Sequence, residues 1–157
     1  MTSRAVIAEI VLGSVTGLVL GGCATGEPKT MTEQVVTERQ RLMKLQGANM
    51  EILRAKIKVG NFDAIPVNVE TLVVTSQQIP QLFPEGSLSD KSRAKPAIWE
   101  KWSEFEGYAS SLQTQAMKVA DLARTKDKAG TLAAVAEMGR STCVACHDAF
   151  RGPPRRG

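Results

Sequence analysis

Residues 143–151 read Cys143-Val-Ala-Cys146-His147-Asp148-Ala149-Phe150-Arg151, and His147 is the single histidine of the 157-residue chain. On a helix, Cys143 and Cys146 stand three residues apart and Cys143 and His147 four apart, so the three side chains share one stripe. Two thiols so spaced and closed by a histidine form a covalent haem attachment pattern. Each thiol adds to one vinyl group of the porphyrin, and the imidazole beside the second tether reaches the iron from one face.

Two other readings of a Cys-x-x-Cys pair fit less well. A dithiol redox pair needs a strand before it and a helix N-terminus beneath it to acidify a thiol, whereas this pair lies near the end of a long helical pattern. A structural zinc site needs four ligands, and the one other soft ligand is Cys23, inside an apparent targeting segment. The sole histidine also falls at the one position that completes the motif.

Outward from the motif, the chain reads as helical. A first helix is expected from about Thr32 to Val59, with Val36, Met43, Met50 and Ile57 repeating every seven residues and Leu45, Ile52 and Val59 as a second apolar row. Gly60-Asn61 ends it. A second is expected from an N-cap at Asp63, with Pro66 in its first turn, to a stop at Pro80. Val67, Val69, Val73 and Val74 in this stretch also suit a strand.

Residues 80–96, rich in Pro, Gly and Ser, form a crossing loop. Pro96 then opens a third helix with Ile98, Trp102, Phe105, Ala109, Leu112, Ala116 and Val119 on one face. Phe83, Trp99, Trp102, Phe105 and Tyr108 also suggest a docking surface, although Trp102 and Phe105 fit the core stripe better. A turn at 125–130 leads to a fourth helix carrying Leu132, Val135, Ala136, Cys143, Cys146 and Phe150 and ending at Gly152-Pro153-Pro154. Four such helices predict an all-α antiparallel four-helix bundle around a covalently bound haem. Aromatic residues are only 4% of the chain, which suggests that the porphyrin supplies flat apolar bulk to the core.

The domain is bounded by residues 31–152, after an export signal at 1–23 and a linker at 24–30, with a basic tail at 153–157. Residues 5–20 are mostly apolar, follow Arg4 and lead to Leu20-Gly21-Gly22-Cys23. That ending is similar to a bacterial lipoprotein box, in which Cys23 is lipidated and anchors the chain to a membrane; cleavage after Ala24 is the alternative. About 16 apolar residues interrupted by Glu9 fall short of the ~20 a spanning helix needs. Either cleavage sends the protein to the periplasm, the side on which c-type haem is attached. The net charge of +4 is modest, and the tail Arg151-Gly-Pro-Pro-Arg155-Arg156-Gly157 has no interleaved aromatics. It reads as a solvated end, with no nucleic acid as partner.

The ending Cys143 to Arg151, the four helices and the export segment together resemble the cytochrome c′ family, the class II c-type cytochromes, over about residues 31–151. A second match is Arg39-Gln40-Arg41-Leu42-Met43-Lys44, which is similar to the family segment crossing the haem face opposite the histidine. The resemblance implies one haem c joined through Cys143 and Cys146, His147 as axial iron ligand, Met43 at the distal position and Arg39 near the propionates. Arg151, four residues beyond His147, lies over the imidazole if the helix continues and weakens its donation to iron; capping of the helix C-terminus is the competing role. The sixth iron position falls to Met, Lys, water or nothing, and a methionine at heptad spacing is also ordinary core filler.

The resemblance implies a haem protein rather than an enzyme, with an open distal site for small gases such as NO and CO and a part in electron transfer. The alternative is a low-spin His/Met one-electron carrier, with Met43 or Met50 on iron, that meets a redox partner protein. A peroxidase lacks a spare histidine and an acid–base pair on the distal helix. Family members also pair as homodimers through their first two helices.

Overall fold

The computed structural model describes residues 30–154; the apolar leader with Cys23, linker residues 24–29 and residues 155–157 lie outside it. Helix α1 spans Met31–Lys58 and opens on a capping box. The Thr30 hydroxyl accepts the Glu33 N–H at 3.2 Å, and the Glu33 carboxylate accepts the Thr30 N–H at 3.1 Å. The helix buries Val36, Arg39, Leu42, Gln46, Asn49, Met50, Leu53 and Ile57, with Met43 partly buried against them.

The expected second apolar row is not in the core. Leu45, Ile52 and Val59 are 43%, 44% and 77% exposed. The reason is that α1 meets α2 (Ile65–Gln81) through amides: Asn68 Nδ2 donates to Asn49 Oδ1 at 2.7 Å and Gln46 Nε2 to Thr75 Oγ1 at 3.2 Å. A polar seam occupies the place that a row of leucine and isoleucine would have filled.

Gly60, at φ 77°, turns the chain out of α1. Asp63 does not cap α2; it lies in a 3₁₀ turn, Phe62–Ala64, and Ala64 is the N-cap without a side-chain bond. Pro66 occupies the first turn as expected. Val69 and Leu72 are buried while Val67 and Val74 are exposed, a helical and not an alternating period. Pro80 does not stop the helix, which runs on to Gln81; a proline in the last turn forfeits one donor and leaves its carbonyl free to accept the Phe83 N–H at 3.0 Å.

The crossing loop turns at Gly86, φ 73°. The third helix is in two pieces, α3 (Ala97–Glu100) and α4 (Trp102–Arg124), parted by Lys101 at φ −124°, ψ 46°. Hydrogen bonds from the Lys101 N–H to Ala97 and from the Phe105 N–H to Lys101 carry the chain across the break. Ile98, Phe105, Ala109, Leu112, Ala116 and Val119 are buried as the apolar stripe requires, whereas Trp102 is partly buried. Helix α5 (Lys128–Met138) begins earlier than expected, because Asp127 accepts the Gly130 N–H at 2.9 Å and so brings Gly130 inside the helix.

Its buried face is Thr131, Ala134, Val135 and Met138; Leu132, 39% exposed, points outward, contrary to expectation, while Ala136 lines the cavity between the helices. A π-helical turn, Gly139–Val144, and α6 (Ala145–Phe150) complete the last helix. Helix α1 packs on α2, α2 on α4, α4 on α5 and α5 back on α1, closing an all-α bundle. Among the described residues, no buried side-chain nitrogen or oxygen lacks a hydrogen-bond partner.

Candidate cofactor site

A cavity of about 920 Å³ opens between α1, the crossing loop, α4 and the last helix. It lies at the upper end of the volumes that hold small molecules and cofactors. Cys143, Cys146 and His147 line one side, and Val36, Met43, Gly47 and Met50 of α1 line another. Phe83, Phe105, Tyr108 and Phe150 add flat apolar wall, with Phe105 edge-on to Phe83 at 4.8 Å and to Phe150 at 5.5 Å between centroids.

The π turn explains how the last helix serves both core and cavity. In an α-helix each step of four residues overshoots a full turn by about 40°, so a row at every fourth position drifts off its face. Here Met138, Thr142 and Phe150 are buried and Cys146 is half-buried between them. The wider i→i+5 turn takes up the overshoot and keeps the row facing inward. Two hydroxyls bond back within it, Ser141 Oγ to Glu137 O at 2.9 Å and Thr142 Oγ1 to Met138 O at 2.6 Å.

Both thiols are free. Burial chiefly, with the neighbouring Cys143 adding to it and Arg151 opposing, raises the Cys146 thiol to about 11. His147 moves the other way: burial first, then the positive charges of Arg151 and Arg93, lower its pKa against the pull of Asp148. The imidazole is therefore neutral at pH 7, the form that binds a metal. Among the described residues no group of three His, Cys, Asp or Glu is placed to hold a bare ion. A metal bound by His147 must bring its other ligands, as a porphyrin iron does, and paired free thiols beside an apolar slot fit the group that carries it.

Met43 and Met50 both line the cavity but differ. Met50 is 5% exposed and lies over Gly139, where an added Cβ would meet its Cε at 3.6 Å. Met43 is only half-buried.

Arg39 is 4% exposed and turns its guanidinium to the crossing loop. It donates to Leu82 O, to Ser87 O at 3.0 Å and to Ser87 Oγ, and it lies 4.2 Å from the Phe83 ring centroid. Two of its five N–H groups remain for another acceptor. Burial draws its pKa down to about 10.

Arg151 is not on a continuing helix. It is the extended C-cap residue, at φ −113°, ψ 128°, bridged to Ala94, and it still lines the cavity. The sequence did not point to Arg93, which also lines the cavity and binds Gly152 O and Pro153 O. Its only signal is a position in a loop otherwise read as a crossing.

Residues 34–151 match the family model described as Cytochrome C′. The chain is similar to cytochrome c-556 of Agrobacterium fabrum, 34% identical over 143 residues, covering 89% of this chain and 95% of that protein. It is similar also to cytochrome c′ of Pararhodospirillum photometricum, 30% identical over 132 residues, covering 76% and 97%. Among solved structures, the nitric oxide complex of a cytochrome c prime variant from Alcaligenes xylosoxidans superposes with a TM-score of 0.70 at 25% identity, covering 81% of this chain and 100% of that one.

Proposed function

The chain belongs to the cytochrome c′ family, whose members carry one haem c, and we propose that here Cys143 and Cys146 hold it, His147 is the axial ligand, and the face beneath Met43 admits a small neutral gas such as NO or CO. The haem, when bound, supplies an iron that takes a diatomic ligand or exchanges one electron. The carrying observation is the single cavity that joins the attachment motif to Met43 through apolar and aromatic wall. Such walls favour a small uncharged ligand over a charged one. A neutral imidazole at His147 is ready to bind metal without first losing a proton. Two free donors of Arg39, with Arg93 and Arg151 on the lining, offer positive charge to the carboxylates of a porphyrin. The nitric oxide complex of the Alcaligenes relative is consistent with a gas as ligand.

A second reading is favoured by Met43 itself. It is the cavity methionine not packed down on Gly139, and a thioether bound to iron would make the protein a low-spin electron carrier. Optical and EPR spectra of the haem-loaded chain, with and without NO, separate the two. High-spin ferric iron that binds NO readily supports the gas site; a methionine-to-iron charge-transfer band that disappears in Met43→Ala supports the carrier.

No helix among the described residues is long and apolar enough to cross a membrane. Function on the periplasmic side, with Cys23 as lipid anchor, rests on the apolar leader, which lies outside the described residues. The exposed row of Leu45, Ile52 and Val59 on α1, with Val67 and Val74 on α2, supports pairing of two copies through these helices. Sedimentation of Ile52→Asp as a monomer, against a dimeric parent, tests that pairing.

A further inference from the structure

The last helix ends abruptly three residues after His147, since Arg151 is extended. A helix end leaves its last four carbonyls without partners. Here the Arg151 N–H takes His147 O at 2.9 Å, and Lys95 takes the other three. Its Nζ donates to Asp148 O at 2.8 Å and to Ala149 O at 3.1 Å, and its backbone N–H donates to Phe150 O at 3.0 Å.

Arg93, two residues before Lys95, completes the clasp. The Gly152 N–H donates to Arg93 O at 2.7 Å, and the Arg93 guanidinium holds Gly152 O at 2.6 and 2.9 Å and Pro153 O at 3.0 Å. One three-residue segment of the crossing loop thus clamps the end of the helix that bears the histidine. A C-terminus carries about half a negative charge, felt within the last turn, and Lys95 sets a full positive charge against it.

We propose that Lys95 is a positioning residue for His147: its ammonium on the C-terminal carbonyls fixes the helix end and offsets its negative dipole, which makes the histidine-bound iron easier to reduce. The inference rests on His147 as axial ligand of a covalent haem. Charged groups facing the same end are Arg93 and Arg151, which act in the same direction, and Asp148, which opposes them. Lys95 differs in lying on the carbonyls themselves. Without it, partial negative charge is left uncovered near the ligand and the ferric form gains.

The test is spectroelectrochemistry of the full haem-loaded chain with Lys95→Met, Lys95→Gln and Lys95→Arg, together with amide hydrogen exchange over residues 148–152. Glutamine keeps a donor without the charge, and arginine keeps both. The expected result is a lower midpoint potential in the Met and Gln variants, a smaller drop at high salt, and recovery in the Arg variant, with spin state unchanged. Faster exchange confined to the Met variant would mark the loss of the clasp. If Lys95→Met does not fold, Lys95→Gln carries the measurement. A parental potential in Lys95→Gln, or failure of Lys95→Arg to restore it, overturns the proposal. A parent chain without acid-stable colour would instead overturn the haem reading beneath it.

Discussion

Arg39 is a buried cation with no carboxylate beside it among the described residues; its partners are two backbone carbonyls and a hydroxyl of the crossing loop, with the Phe83 ring against its guanidinium. Such a charge persists only while its hydrogen bonds hold, because removing one side of a buried charged set leaves the other unsatisfied. Arg39→Leu should therefore cost about 3 kcal/mol, at the upper end for a hydrogen bond to a charged group, and urea unfolding of the variant checks it. At this scale Cys143, Cys146 and His147 were legible because covalent chemistry fixes their spacing. The grip of Arg39 on Leu82 and Ser87 was not, since partners more than 40 residues away leave no local pattern.

Two glycines of the last helix separate local propensity from tertiary fit. Gly139 has φ −59°, ψ −43°, ordinary helical values, and an added Cβ would meet nothing closer than Met50 Cε at 3.6 Å. Gly139→Ala should then stabilise the chain by about 0.5–1 kcal/mol through the lower entropy of its unfolded state. Gly130 looks equivalent in sequence, yet an added Cβ would strike the Asp127 carboxylate that caps the helix. Gly130→Ala should destabilise by about 1 kcal/mol, the worth of a cap; thermal melts of the two variants should move in opposite directions. Helix positions were readable from apolar spacing, and the faces were less so. The row of Leu45, Ile52 and Val59 obeys the heptad as well as the buried row does, and the Asn49–Asn68 and Gln46–Thr75 bonds between α1 and α2 decide which one turns inward. Leu132 is exposed within the regular helix α5, whose inward face is taken by Thr131 and Val135, and the π turn that follows at Gly139–Val144 is signalled by no single residue.

For the molecule as a whole, the cavity sets the terms. The cavity of about 920 Å³ is partly open to solvent and far larger than the voids a packed core tolerates. The cavity is therefore filled by cofactor, flooded, or collapsed. The wall is mainly apolar and aromatic, so flooding yields few hydrogen bonds, and the bundle without its haem must loosen around the α1 and α6 faces. Cys143→Ser with Cys146→Ser removes both tethers and should abolish acid-stable colour. Its near-ultraviolet circular dichroism should collapse while much of the far-ultraviolet helix signal survives, with dye binding as apolar surface opens. A double variant that keeps native near-ultraviolet bands and a cooperative melt would mean that α2 and α4 alone hold the fold. In that case the porphyrin would be peripheral to the core and not its filling.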